Sequence, residues 1–337
     1  MSTTVIAFFN NKGGVGKTSL VYHLACLYAD VGVRVVAADL DPQANLTAAF
    51  LDEDRLEQLW PDGNHPQTIF GAVQPLVRGV GDIAQPYYEL IDDRLAFLAG
   101  DLALSGFEDQ LSEVWPKCMD RDERAFRVIS AFWRLLQNAA GRHEADTILI
   151  DLGPNLGAIN RAALIAADYV IVPLAPDLFS LQGLRNLGPT LRRWRQEWQE
   201  RLSKNPAPDL ALPIGRMQPA GYIVLQHSIR LDRPVKAYNR WIGRIPQSYR
   251  NDLLNEPGGA KITVEDDPHR LALLKHYQSL MPLAQEARKP MFNLKPADGV
   301  GGAHIQAVRN VYSDFHDLAG QIARRVGLRF PATRPSS

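Results

Sequence analysis

The residues with the clearest chemistry come first in the chain, in the run Phe9-Asn10-Asn11-Lys12-Gly13-Gly14-Val15-Gly16-Lys17-Thr18-Ser19. A short apolar stretch, Val5–Phe9, precedes this run, and Leu20, Leu24 and Leu27 form one helical stripe after it. A loop between a strand and a helix aims its backbone N–H groups and the helix N-terminus at one point, which suits an anionic phosphate. Gly13, Gly14 and Gly16 let the backbone approach oxygens and take up positive φ. The expected cradle therefore runs from Lys12 through Val15 to Ser19. Lys17 can reach the β and γ phosphates of a nucleotide, and the Thr18 hydroxyl can ligate Mg²⁺. Lys12 sets a second cation beside Lys17, so two lysines address one triphosphate.

Two strand ends supply carboxylates. Val33–Ala38 runs into Asp39-Leu40-Asp41-Pro42-Gln43-Ala44-Asn45-Leu46-Thr47, and Thr147–Ile150 runs into Asp151-Leu152-Gly153-Pro154. Acids at the C-terminal end of a parallel strand point into the crevice where such sheets bind ligands. Asp39 and Asp41 are placed there, with helix N-capping by Asp41 or Asn45 as the structural alternative. Asp151 ends an apolar strand, as does a carboxylate that holds Mg²⁺ through water. Gly153 can turn an N–H toward the terminal phosphate.

Lys12-Gly13-Gly14-Val15-Gly16-Lys17-Thr18 resembles the deviant Walker A loop of the ParA/MinD family of ATPases. Asp39-Leu40-Asp41-Pro42-Gln43 with Asn45 and Thr47 is similar to that family's next motif, and Ala166–Leu184 to its stretch after the second acid. The likeness covers most of residues 4–190 and, more loosely, 220–250. The resemblance implies ATP and Mg²⁺ as ligands, with Asp41 orienting the attacking water near the metal. It implies an ATP-dependent homodimer in which Lys12 crosses to the partner subunit's nucleotide. It also implies slow hydrolysis, stimulated by a protein activator or cargo adaptor. Two residues depart from the pattern. Ala44 stands where the family has glycine, which stiffens the turn and slows hydrolysis. Gly153 stands where the family has proline, which leaves that turn more mobile. The family's base contacts follow the strand ending here at Leu225 and lie near Pro246. Gln226-His227 depart from them, so the adenine contacts stay unassigned.

These groups need a scaffold. Val5–Phe9, Val33–Ala38, Thr147–Ile150, Tyr169–Val172 and Tyr222–Leu225 read as buried strands, with helical stretches between them. That alternation predicts a doubly wound, mostly parallel α/β sheet flanked by helices, a P-loop NTPase of the SIMIBI type. One ATPase domain is expected over residues 1–330, with a variable insert at about 52–146 and a less conventional part from about 250. The insert is acidic and proline-broken, with a strand at Leu95–Leu98 and helices around Phe107–Val114 and Ala125–Ala139. It is a candidate partner surface, and a solvated face explains its charge equally well. A helix is expected after Pro189, another over His304–Val326, and a disordered tail over 331–337.

Lys+Arg and Asp+Glu both number 37 in 337 residues, so net charge selects no partner. Cys26 and Cys118 stand far apart, which offers no disulfide framework, no zinc site and no cluster ligands of the nitrogenase iron protein kind. No leader or spanning segment is evident, and the expected location is cytoplasmic. Membrane cycling of the MinD kind needs a basic amphipathic helix at the C-terminus, but His304–Val326 has basic residues near its end only at Arg324 and Arg325. A helix packed on the core is the expectation there.

Charge is nonetheless uneven. Thirteen basic residues lie between Arg185 and Arg250 against four acids, among them Arg185, Arg192, Arg193, Arg195, Arg230 and Arg233. The sequence therefore predicts nonspecific DNA binding by the ATP state, in a partition or positioning ATPase, with a solvated arginine-rich face as the bland alternative. An ATP-gated regulatory switch acting on a protein complex without DNA is the other class of function. A small-molecule ligase ranks behind both, because no second substrate pocket can be named.

Overall fold

The computed structural model describes residues 2–225, 240–275, 277 and 280–331. The chain runs β1 (Thr4–Phe8), α1 (Lys17–Asp30), β2 (Val35–Asp39), α2 (Asn45–Phe50), α3 (Glu53–Leu59) and α4 (Ile69–Arg78). It continues through β3 (Glu89–Asp92), β4 (Leu95–Leu98), α5 (Glu108–Lys117), α6 (Glu123–Ile129), α7 (Ala131–His143), β5 (Thr147–Asp151) and α8 (Ala158–Ala166). Then come β6 (Tyr169–Leu174), α9 (Leu178–Leu202), β7 (Gln218–Leu225) and β8 (Arg270–Leu274), with the helices Leu280–Ala287 and Ala303–Val326 closing the fold.

Among the described residues these strands form one eight-stranded sheet in the order β3-β4-β2-β5-β1-β6-β7-β8. Only the β3–β4 pair is antiparallel, so the doubly wound, mostly parallel α/β fold read from the sequence is the fold observed. The central strands are apolar on both faces because both faces are covered. Val5, Ala7 and Phe9 join the core under α4–α9, whereas Ile6 and Phe8 join the core under α1 and the C-terminal helix. Register then brings the chemistry together. Phe8 pairs with Asp151, and Asp151 pairs with Asp39, so the phosphate loop and both acidic strand ends leave the sheet at one level.

Segment 52–146 is built into this sheet. Its strand β4 is fully buried and pairs with β2, and Phe107, Leu111, Phe126, Phe132 and Leu136 join the core. The exposed antiparallel edge strand β3 gave no apolar signal in the sequence. The helix expected over Ala125–Ala139 is two helices that meet at Ser130, whose hydroxyl donates to the Phe126 carbonyl at 2.7 Å.

One other boundary differs from expectation, and two elements are new. Helix α9 does not start after Pro189; it begins at Leu178 and carries Pro189 within it. Leu184, Leu187, Leu191, Trp194 and Trp198 are buried along its length, which outweighs the one backbone bond that a proline forgoes. Gly188 is required for close approach, since a Cβ there would lie 1.9 Å from the Asp252 carbonyl oxygen. Strand β8 and the helix Leu280–Ala287 were not read from the sequence.

The helix Ala303–Val326 buries Val311, Phe315, Leu318 and Ile322 in the same core as α1, so its apolar stripe is covered from Val311 onward, while Ile305 near its start stays exposed. No helix among the described residues is long and apolar enough to cross a membrane. This C-terminal layer is stitched to α1 by His23. The Nδ1–H of His23 donates to the Ser19 carbonyl at 2.7 Å, and its Nε2 accepts the Met291 N–H at 3.2 Å. Both bonds together require the neutral ring.

Burial lowers the His23 pKa to about 4, against the bond to Ser19. The unfolded chain therefore takes up this proton first as pH falls, and His23's share of stability is full above about 6.5 and lost toward 4. That share is about 3 kcal/mol. Denaturant titrations across this window are expected to show a shallower loss of stability in His23→Asn than in the wild type. Identical slopes would mean that His23 is not buried neutral.

Candidate functional site

The phosphate loop leaves β1 and enters α1 as its sequence requires. Gly14 and Gly16 sit at φ 70° and 75°, in the left-handed region that favours glycine. No side chain caps the N-terminus of α1, so its first N–H groups face the loop. Lys17 is buried, and its Nζ donates to the carbonyls of Asn10 at 3.3 Å and Lys12 at 3.5 Å. Asn10 holds the loop's other side, accepting the Lys12 N–H at 2.9 Å and donating to the Pro173 carbonyl at 2.7 Å.

The three aspartates take different roles. The Thr18 hydroxyl donates to Asp151 at 2.6 Å, so the two groups expected to address Mg²⁺ are in contact. Asp41 is buried at the start of the acid turn, accepts the Gln43 N–H at 3.0 Å, and faces Gly153, where a Cβ would lie 3.1 Å from its Oδ1. Asp39 is bonded within the acid turn itself. Its Oδ2 accepts the N–H and the hydroxyl of Thr47, both at 2.8 Å, and its Oδ1 accepts the Asp41 N–H at 3.2 Å. These three bonds let the fully buried Asp39 carboxylate brace the acid turn. Ala44, where the family has glycine, takes φ 53° and ψ 32°. A side chain costs about 1–2 kcal/mol in that conformation.

Electrostatics favour an added cation. Burial pushes Asp39 and Asp151 above the usual carboxylate range, and for Asp151 the neighbouring Asp39 adds to the effect. Burial also lowers Lys17, against the attraction of Asp151 and Asp41. Among the described residues no three His, Cys, Asp or Glu side chains form a closed metal cage. The donors are nonetheless all hard oxygens, two carboxylates and a hydroxyl, beside a loop shaped for phosphate. Mg²⁺ takes one or two carboxylates plus phosphate and water oxygens, so the residues fit it. Thr18 would hold it directly, with Asp41 and Asp151 addressing it, and it would neutralise charge on the phosphates.

Lys12 lies at the rim. Its ammonium pairs with Asp177 of its own chain, a residue that also caps α9 by accepting the Ser180 N–H at 2.9 Å. Burial raises the Asp177 pKa, but the bond from Lys12, the bonds from Ser180 and the lysine's charge together hold the group below its ordinary value. Asn10, Asp177 and Asn160, which donates to the Gly153 carbonyl at 3.0 Å, were missed by sequence reasoning. Each contact spans the fold or a turn and has no local signature except the asparagines' place beside the motifs. An apolar slot of about 130 Å³ opens beside Gly16, lined by Leu20, Leu225, Leu274, Tyr277 and Phe315. A wider cleft of about 480 Å³ runs from Thr18 and Ser19 past Asn45 to Arg288.

The expected DNA-binding arginines divide. Arg192 donates to the carbonyls of Asp252 and Leu253, at 3.3 and 2.8 Å, and Arg195 to those of Arg216 and Met217, at 2.7 and 2.8 Å. These two serve the fold: Arg192 ties α9 to the helical turn Tyr249–Leu254, and Arg195 ties it to the chain entering β7. Arg185 and Arg193 stay exposed, beside Asp252 and Glu197 at 3.6 and 3.9 Å. Arg230 and Arg233 lie outside the described residues.

Fold and loop together define a P-loop nucleotide-binding protein. The model of the AAA domain family AAA_31 matches residues 3–204. Protein IncC of Escherichia coli is 34% identical over 197 residues, which are 58% of this chain and 47% of that protein. The chromosome partitioning protein ParA of Caulobacter vibrioides is 30% identical over 201 residues, 59% of this chain and 66% of that protein. The match thus spans about half to two thirds of these relatives' length. Protein DIP2308 of Corynebacterium diphtheriae shares the fold, with a TM-score of 0.72 and 24% identity, covering 96% of this chain and 99% of that one. The chain belongs to this AAA domain family and, within it, to the ParA/MinD P-loop ATPases.

The brace beneath the acids is open to test. Thr47 accepts the Gly100 N–H at 2.8 Å while donating to Asp39. Thr47→Val strands both partners in a buried place and is expected to cost about 2–4 kcal/mol in denaturant unfolding. Thr47→Ser keeps the hydroxyl and stays within about 1 kcal/mol of wild type on the same reasoning. Equal losses for the two variants would show that packing, not the hydroxyl, matters there.

Proposed function

We propose that the chain is a slow ATPase whose ATP state is a homodimer, and that the dimer positions a cargo with the help of an activating protein. The observation that carries this reading is the placement of the two lysines. Lys17 is buried against the loop, whereas the Lys12 side chain keeps a quarter of its surface exposed at the rim, on a partner it can exchange. A cation at that position can neutralise a triphosphate in a second subunit. Backbone N–H groups from Gly13 to Ser19 hold the phosphates, Thr18 and Asp151 address Mg²⁺, and Asp41 positions the attacking water. Gly153 offers its N–H to the terminal phosphate. The apolar slot at Gly16 and Leu225 suits the flat face of adenine. Catalysis here is positioning and charge stabilisation, and losing one such group costs about 100-fold or more.

The test is sedimentation and turnover on the same samples. Wild type is expected to dimerise with ATP and Mg²⁺ and to return to monomer with ADP. Lys12→Ala is expected to bind ATP and stay monomeric, and Asp41→Ala to retain ATP while hydrolysing it about 100-fold more slowly. One mass under all nucleotide conditions, or wild-type turnover by Asp41→Ala, would overturn the reading.

Nonspecific DNA binding is the finer proposal, supported by the relatives' printed role in chromosome partitioning and by exposed Arg185 and Arg193. Each phosphate contact adds about 0.9 to the log–log salt slope. Arg185→Glu with Arg193→Glu is expected to lower ATP-dependent retention on DNA while ATP binding is unchanged. Full retention at low salt removes these side chains from any DNA contact. The engagement of Arg192 and Arg195 inside the fold favours the second reading, a nucleotide-gated switch for a protein complex, and absence of any retention would select it.

A further inference from the structure

The turn from Gly153 to Gly157 joins Asp151 to α8, and it is held by a residue distant in sequence. Helix α8 has no capping side chain of its own at Gly157. Glu108, the first residue of α5, fills that place. Its Oε1 accepts the Ala158 N–H at 2.5 Å and its Oε2 accepts the Ile159 N–H at 2.8 Å. One carboxylate thus satisfies two orphan donors of a helix N-terminus, where negative charge is also favoured by the helix dipole. A Cβ at Gly157 would lie 2.5 Å from Glu108 Oε1, so the turn leaves room for this carboxylate. Inside the turn, Asn155 accepts the Gly157 N–H at 2.9 Å, and Asn160 donates to the carbonyls of Gly153 and Asn155 at 3.0 and 2.7 Å. Asn160 belongs to the first turn of α8, so whatever fixes that turn also fixes Gly153, which faces Asp41.

We propose that Glu108 is a positioning residue for ATP hydrolysis: by clamping the start of α8 it sets the Gly153–Gly157 turn opposite Asp41. Through it, segment 52–146 acts on the catalytic geometry. Helix α5 lies in the core of that segment, packed on α6 and α8, with Leu111 and Val114 buried. A partner that shifts α5 would change the turn without touching the nucleotide. The hydrogen bonds that Glu108 accepts come from Ala158 and Ile159 and not from the phosphate loop, so the loop's own hold on the phosphates does not run through it. This inference rests on the ATPase reading above.

Two variants disturb the clamp from opposite sides. Glu108→Gln keeps one acceptor and loses the charge. Gly157→Ala keeps an ordinary backbone at φ −78° and displaces the carboxylate. Both are expected to lower kcat about tenfold with KM for ATP within twofold, and to speed amide exchange at 153–159 in the full chain below its unfolding temperature. A purely structural role would lower the melting temperature and leave kcat unchanged at such temperatures. Wild-type kcat in both variants therefore overturns the inference, as does an equal rise in KM. Glu108→Asp, one methylene too short to span both N–H groups, is expected to rescue neither kcat nor protection. No turnover by the wild type itself would instead refute the ATPase reading, so the two failures are distinguishable.

Discussion

Everything at this site follows from carboxylates held out of water at the level end of three neighbouring strands. Phe8, Asp151 and Asp39 share one register line, and the adjoining loops bring in Lys17, Thr18 and Asp41. Burial raises the cost of ionising Asp39 and Asp151, and Lys17 is the nearest buried cation. The protein can hold that arrangement only by giving each oxygen a donor. Asp39 is matched by Thr47 and the Asp41 backbone, and Asp151 by Thr18 and the Leu152 backbone. A pocket assembled this way has hard oxygen donors in place and gains most from a divalent cation carrying phosphates.

How much of this was legible in the sequence depends on range. The loop Lys12–Ser19 was readable because a strand, three glycines and a lysine lie in consecutive positions and carry their own chemistry. The central strands were readable because burial on both faces makes them continuously apolar. Strand β3 was not, since an exposed edge strand of Glu89-Leu90-Ile91-Asp92 has no face to advertise. The start of α9 was hidden by Pro189, which reads as a helix breaker unless tertiary burial on both sides of it is known. Asp39 illustrates the limit within the site. Its place at a strand end was correct, but its donors, Thr47 among them, become known only from the folded turn.

Side chains that cross the fold were the least legible, and they are what tune the site. Asp177 engages Lys12 across 165 positions of sequence while capping α9. The rim cation and the helix that carries Arg185 and Arg193 therefore share one carboxylate. In the proposed dimer, a lysine that leaves Asp177 for the other subunit's phosphate exchanges one anionic contact for another. The exchange has a small net Coulomb cost, because the pair is partly exposed and screened. That is the behaviour a reversible assembly requires; a deeply buried pair would hold the lysine in its own subunit.

The same economy separates the two sides of the nucleotide crevice. On the α1 side, His23 and the buried aromatic rings around it bind the helix into the C-terminal core, where Phe292 and Phe315 pack within about 6 Å. Movement there would disturb a close-packed interior. On the Gly153 side, the turn hangs on three side chains, buried Asn160 with the more exposed Asn155 and Glu108. Local stability follows the number of buried contacts, so this side opens at lower cost than the other. A fold built this way keeps the phosphate loop rigid and leaves the turn facing Asp41 as the side of the crevice that opens at lower cost.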